Sequence, residues 1–116
     1  LGDKVKDGPV GLAAAGRRLL DRVEIVLISR GRKGSVAVTK QGAWQGRCVG
    51  HAGVLSTVGC GDFLLAGFLK GLKDGSGTRA ALKRAIIVAT ARAWGWTERK
   101  TWSQALRGIR VAVERV

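Results

Sequence analysis

The sequence predicts an α/β fold on three observations. Residues 23–29 form a β-branched apolar run, residues 35–39 form another after a turn with two glycines, and apolar residues at helical spacing flank both. At 116 residues the chain has material for one hydrophobic core, so residues 1–116 read as a single domain. Hydrophobic residues at 46% and charged residues at 25% place it among globular chains rather than disordered ones.

Asp7 followed by Pro9 predicts a helix start. Leu12, Ala13, Gly16, Leu19 and Leu20 continue it at helical spacing to about Arg22. The run at 23–29 is short and almost continuously apolar, which predicts a buried parallel strand. Gly31 and Gly34 punctuate a turn, residues 35–39 follow as a second strand, and residues 43–49 as a third, more exposed one. A loop at 50–57 leads to an apolar helix at 63–72, ended by Asp74, Gly75 and Gly77. Thr78 is placed to cap the next helix, in which Leu82, Ala85, Ile86, Ala89 and Ala93 share a face. From about Glu98, Trp102, Leu106, Ile109 and Val113 fall on one stripe and predict a further helix, about four in all.

Composition narrows the function classes. No apolar run is long enough for a bilayer span, and no basic-then-apolar leader opens the sequence, so the expected setting is cytoplasmic with no membrane partner. Two cysteines, Cys48 and Cys60, are too few for a disulfide scaffold, and a single histidine, His51, cannot build a His-rich metal site. Lys and Arg number 21 against 8 Asp and Glu, a net charge of +13. The basic residues are scattered, with Arg30, Arg32 and Lys33 the nearest cluster, and no nucleic-acid reading motif accompanies them. Nucleic acid is therefore not an expected partner, although a basic binding module remains a competing reading.

The most informative stretch is Ser56-Thr57-Val58-Gly59-Cys60-Gly61-Asp62, running directly into an apolar helix. Glycines let successive backbone N–H groups converge, and the helix adds its free N-terminal amides and positive dipole end. Such a place binds an anion. An aspartate beside it would repel phosphate unless it serves as a base that takes a hydroxyl proton during phosphoryl transfer. The stretch is not a Walker A loop, since no Gly-Lys-Ser/Thr closes it, and Leu64 stands where GxGxxG would need a third glycine. The bland alternative is a glycine-rich turn ahead of a helix, with an ordinary aspartate in its first turn.

Ser-Thr-Val-Gly-Cys-Gly-Asp-Phe-Leu-Leu-Ala-Gly-Phe-Leu resembles the second signature of the PfkB (ribokinase-like) carbohydrate kinases, whose Gly-Ala-Gly-Asp core precedes an apolar helix. The Ser-Thr-Val variant is most similar to the fructose-1-phosphate and tagatose-6-phosphate kinase branch. The resemblance implies a partial ribokinase-like three-layer α/β/α fold and an enzyme that transfers the ATP γ-phosphoryl group to a sugar or sugar-phosphate hydroxyl, with ATP and Mg²⁺ as cofactors. It further implies Asp62 as catalytic base and the amides of Gly59, Cys60 and Gly61 as the anion hole. Cys60 replaces the commoner alanine and is small enough to fit. Ser29, Gly31 and Gly34 match the family turn that lies along the nucleotide, so the resemblance makes them, with Gly61, Asp62 and Ile86, nucleotide contacts. Ile86 suits either the adenine face or plain core packing. Arg92, at a position where the family often has a polar adenine neighbour, departs from the pattern, as does Arg30 where leucine is usual.

Residues 1–20 resemble the family segment just after its Asn-x-x-Glu motif, implicated in Mg²⁺ and phosphate organisation, so the chain reads as the C-terminal part of a kinase without the sugar-binding strands. The expectation for such a piece is negligible turnover alone, with aggregation, homodimerisation or marginal stability through an exposed sheet edge. A non-catalytic nucleotide-binding remnant is the alternative. Trp94, Trp96 and Trp102 fit buried helix contacts or a stacking platform.

Overall fold

In the computed structural model, which describes residues 8–49, 60–93 and 109–116, four strands make one sheet. They are β1 (Ile25–Ser29), β2 (Ser35–Thr39), β3 (Gly42–Cys48) and β4 (Val111–Arg115), paired in that order and antiparallel throughout. Among the described residues three helices accompany them: α1 (Pro9–Arg17), α2 (Cys60–Lys73) and α3 (Gly77–Ala93).

The period-2 alternation of strand side chains divides the core into two layers. Val26, Ile28, Val36, Val38 and Ala43 pack with Ala13 and Leu12 of α1 on one face. Ile25, Leu27, Ala37, Trp44 and Val113 face Leu64 and Phe68 of α2 and Leu82, Ala85 and Ile86 of α3 on the other. β2 is covered on both faces, and all five of its residues are buried. The result is the expected α/β/α layering, with Ile87, Ala91 and Ile109 closing a third cluster near Cys48 and Val111.

Several expectations are corrected. The first run is a half-buried strand that begins at Ile25 and pairs antiparallel, because the chain reverses within 30–34 and a parallel return needs a crossover of a dozen or more residues. α1 stops at Arg17, where Arg18, Leu19 and Leu20 bond to the carbonyls of Ala15, Gly16 and Arg17 and tighten the chain into turns. α2 begins at Cys60, three residues earlier than the apolar pattern predicts, and α3 begins at Gly77, which puts Thr78 inside its first turn. Val113 belongs to β4 and Ile109 lies just before it, where a helix was expected. A spacing of four residues satisfies a strand's period of two as well as a helical turn, so that pair of positions does not discriminate. Asp7, His51, the loop at 50–57, Trp94, Trp96 and the remainder of the expected helix from 98 lie outside the described residues.

The turn between α2 and α3 explains how the two helices pack antiparallel. Gly75 adopts a left-handed φ of 75°, Ser76 N–H donates to the Gly71 carbonyl (3.3 Å) and Gly75 N–H to the Leu72 carbonyl (3.0 Å). This paired bonding satisfies carbonyls at the end of α2 and reverses the chain. Asp74 then accepts from Arg84 at 2.8 Å and pairs with Lys70 at 3.3 Å, pinning the turn to both helices. Along the seam, small residues oppose each other, with Gly67 against Ala85 and Gly71 against Ala81.

Candidate active site

The first turn of α2 carries Cys60, Gly61 and Asp62. The opening N–H groups of an α-helix have no intrahelical acceptor and carry the positive end of the helix dipole. A Cβ built on Gly61 would meet nothing within 4 Å among the described residues, and both Gly61 and Asp62 are exposed. The arrangement can receive an anion at the amides and present a carboxylate beside it. Asp62 also complements the dipole of its own helix, which is what any first-turn acid does. Gly59 lies outside the described residues.

Antiparallel packing sets what stands beside that end. Because Gly71 meets Ala81 and Gly67 meets Ala85, the start of α2 lies level with the last turn of α3. There the Arg92 guanidinium sits over the Phe63 ring, 6.0 Å from its centroid. Arg92 is half-buried and Phe63 directly follows Asp62. The sequence reading marked Arg92 only as a departure from a pattern. Its placement follows from pairs of small residues four apart on two consecutive helices, a signal present in the sequence.

The turn at 29–34 is built by a single 3₁₀ turn, Gly31–Lys33, closed by Arg30 N–H donating to the Gly34 carbonyl at 2.8 Å. Ser29 is exposed at the end of β1 and pairs in register with Ser35. Gly31 and Gly34 both have left-handed φ, 59° and 98°. At Gly34 a Cβ would also run into the Gly46 carbonyl, so both backbone and space demand glycine. Ser29 and Asp62 are thus presented by separate elements.

Ile86 is 4% exposed and lies in the core, where its Cδ1 occupies the space above Gly46, 2.5 Å from where a Cβ on that glycine would stand. Of its two sequence readings, core packing is the one that matches this burial. Cys48 packs beside Val111 and Ile87; burial pushes its thiol pKa up, partly offset by a hydrogen bond with Thr90, so it is not poised as a nucleophile. An open groove of about 370 Å³ lies at the other end of α3, lined by Ser76, Arg79, Ala80, Lys83, Val111 and Val113. It contains none of the predicted site residues. Among the described residues no group of three His, Cys, Asp or Glu side chains converges as a metal site.

Comparison with known proteins adds to this geometry. The model of the pfkB family of carbohydrate kinases matches residues 5–93, a span that includes both the 29–34 turn and Asp62. A 1-phosphofructokinase from Haemophilus influenzae is 33% identical over 78 residues, covering 67% of this chain and 25% of that protein. Among solved structures, phosphofructokinase-2 from Escherichia coli in complex with substrates and products superposes with a TM-score of 0.75 at 17% identity, covering 86% of this chain and 33% of that one. A nucleoside kinase from Methanocaldococcus jannaschii, an archaeal member of the ribokinase family, gives 0.69 at 26% identity, covering 78% and 31%. The chain therefore spans about a quarter of the length of its curated relative and about a third of these solved structures. With a family model matched over most of its length and the fold shared with these kinases, the chain belongs to the pfkB family of carbohydrate kinases.

Proposed function

We propose that this chain is the nucleotide- and phosphate-handling portion of an ATP-dependent phosphosugar kinase. The observation that carries the reading is the family match across 5–93, together with the exposed position of Asp62 in the first turn of α2. In this reading a sugar hydroxyl oxygen bonds to the γ-phosphorus while Asp62 takes the hydroxyl proton. The bond from the γ-phosphorus to the bridging oxygen breaks, and ADP leaves with that electron pair. Backbone amides of Gly59, Cys60 and Gly61 hold the charge that builds on the transferring group. Ser29, Gly31 and Gly34 lie along the nucleotide, where two glycines give the backbone close approach. Mg²⁺, when bound, would screen the phosphate charge; among the described residues no acidic cluster converges to hold it.

The similarity to a 1-phosphofructokinase supports a sugar phosphate as the acceptor. Taken alone, the chain is better described as a nucleotide binder than as a catalyst, because it spans only a quarter to a third of its relatives and positioning supplies much of a kinase's rate. Self-association belongs to the same reading. β1 is paired on one side only among the described residues, and Leu65 and Leu69 stand 51% and 54% exposed along α2.

Calorimetric titration of the chain with MgATP tests the core of the reading. Saturable binding that survives Asp62→Asn is expected. Absence of any nucleotide binding would remove the assignment.

A further inference from the structure

The register of β4 determines which of its backbone groups are engaged with β3. Val49 N–H donates to the Arg110 carbonyl and Val116 N–H to the Ala43 carbonyl, and between these pairs Arg47 stands opposite Ala112 and Gln45 opposite Glu114. Hydrogen-bonded and non-bonded pairs alternate along an antiparallel ladder. Ala112 and Glu114 therefore bond to β3, while Val111, Val113 and Arg115 turn their N–H and C=O groups away from it. No described strand lies on that side, so β4 presents an unpaired edge of the kind that recruits another extended chain.

Two cations stand along this edge. Arg79, near the start of α3, donates to the carbonyl of Val113, the middle one of the three outward residues, at 3.2 Å. Lys83, one helical turn further on, lines the same groove as Val111 and Val113 and makes no ion pair among the described residues. A second copy laying its own β4 along this edge would have to displace Arg79 from that carbonyl. It would also bring two sets of Arg79 and Lys83 together, and like charges so placed repel.

We infer that Arg79 and Lys83 keep β4 from pairing edge to edge with a second copy of this chain, Arg79 by occupying the Val113 carbonyl and Lys83 by its charge. The inference is independent of the nucleotide-binding reading, and it directs self-association to surfaces other than β4. Arg79 also braces α3 against β4, a purely structural role that predicts lost stability without gained association.

The test is sedimentation equilibrium of the 116-residue chain over a concentration series, with folding followed by circular dichroism. The variants are Lys83→Ala, Arg79→Ala with Lys83→Ala, and that pair with Val111→Pro added. Val111→Pro removes an outward N–H that bonds nothing in β3, so it blocks edge pairing and spares the β3–β4 ladder. The double variant is expected to associate about tenfold more tightly than wild type, the scale of one regained hydrogen bond, with Lys83→Ala in between. Adding Val111→Pro should return association to the wild-type level. A folded double variant that associates like wild type overturns the inference, and so does tightened association that survives the proline. If Arg79→Ala unfolds the chain, Lys83→Ala decides alone, since that side chain has no ion pair to lose among the described residues, and unchanged association then overturns the inference.

Discussion

Gly71 of α2 stands so close to Ala81 of α3 that a Cβ added to the glycine would lie 2.6 Å from the Ala81 Cα. The obstacle is backbone, which cannot swing aside. Gly71→Ala gains helix propensity, about 1 kcal/mol, yet forces the helices apart. Overpacking of this kind costs about 1–3 kcal/mol, so a net loss of stability is expected in urea denaturation. An unchanged midpoint would show that the seam is looser than its geometry.

Gly34 and Gly31 separate two costs that usually come together. Both need a left-handed φ, but only at Gly34 does a Cβ meet the Gly46 carbonyl. Gly31→Ala is expected to cost about 1–2 kcal/mol from backbone conformation alone. Gly34→Ala adds the overpacking and should cost about 3 kcal/mol or more. Thermal melts of the two variants in parallel check the ordering; equal shifts would mean that β3 yields.

Asp62→Asn tests the proposed base. In a polypeptide that completes this chain with the sugar-binding portion of its 1-phosphofructokinase relative, the substitution should lower kcat by roughly 10²–10⁴ with little change in ATP affinity. Steady-state kinetics with a sugar phosphate read both numbers. An undiminished kcat would take the proton-accepting role away from Asp62.

The Asp74 carboxyl is held below the usual carboxylate range, first by its hydrogen bond from Lys70 and then by the charges of Lys70 and Arg84. A depressed folded-state value means stability that is present above the unfolded value, near pH 4, and is lost as pH falls through the lower folded one. Asp74→Asn should therefore lower the melting temperature slightly at pH 7 and have no effect once the pH is well below 3. The difference is small because exposed ion pairs contribute little. A deficit that persisted in strong acid would trace to the turn's hydrogen bonding rather than to charge.

Leu65 and Leu69 lie one helical turn apart on the exposed face of α2. If self-association involves this face, Leu65→Lys with Leu69→Lys should shift sedimentation toward the monomer. Unaltered association would direct attention to the side of β1 that is unpaired among the described residues.

What could be read from the residues depended on whether the deciding partner was near in sequence. β2 was legible residue for residue because a β-branched run between two turns has few alternatives. The core face of α3 was legible because Leu82, Ala85 and Ile86 recur at helical spacing. The direction of β1 was obscured by its near-continuous apolar character, which suits strands of either direction; the brevity of the 30–34 connection was the better guide. Val113 was misread because its spacing from Ile109 fits both periods. The site divided in the same way. The motif that proposes Gly61 and Asp62 is complete within seven residues, whereas the stacking of Arg92 on Phe63 depends on how two helices are juxtaposed, and the demand for glycine at Gly34 comes from a carbonyl on a different strand.

β4 occupies the fourth place in the sheet although it comes from the far end of the described chain. Its Val113 is buried, Arg115 lies over Trp44 and donates to the Gln41 carbonyl, and Val116 N–H bonds to Ala43. Residues 109–116 are therefore part of the core. A chain cut short before Ile109 would uncover Gly46 and Ile86 and leave β3 with β2 as its one partner among the described strands.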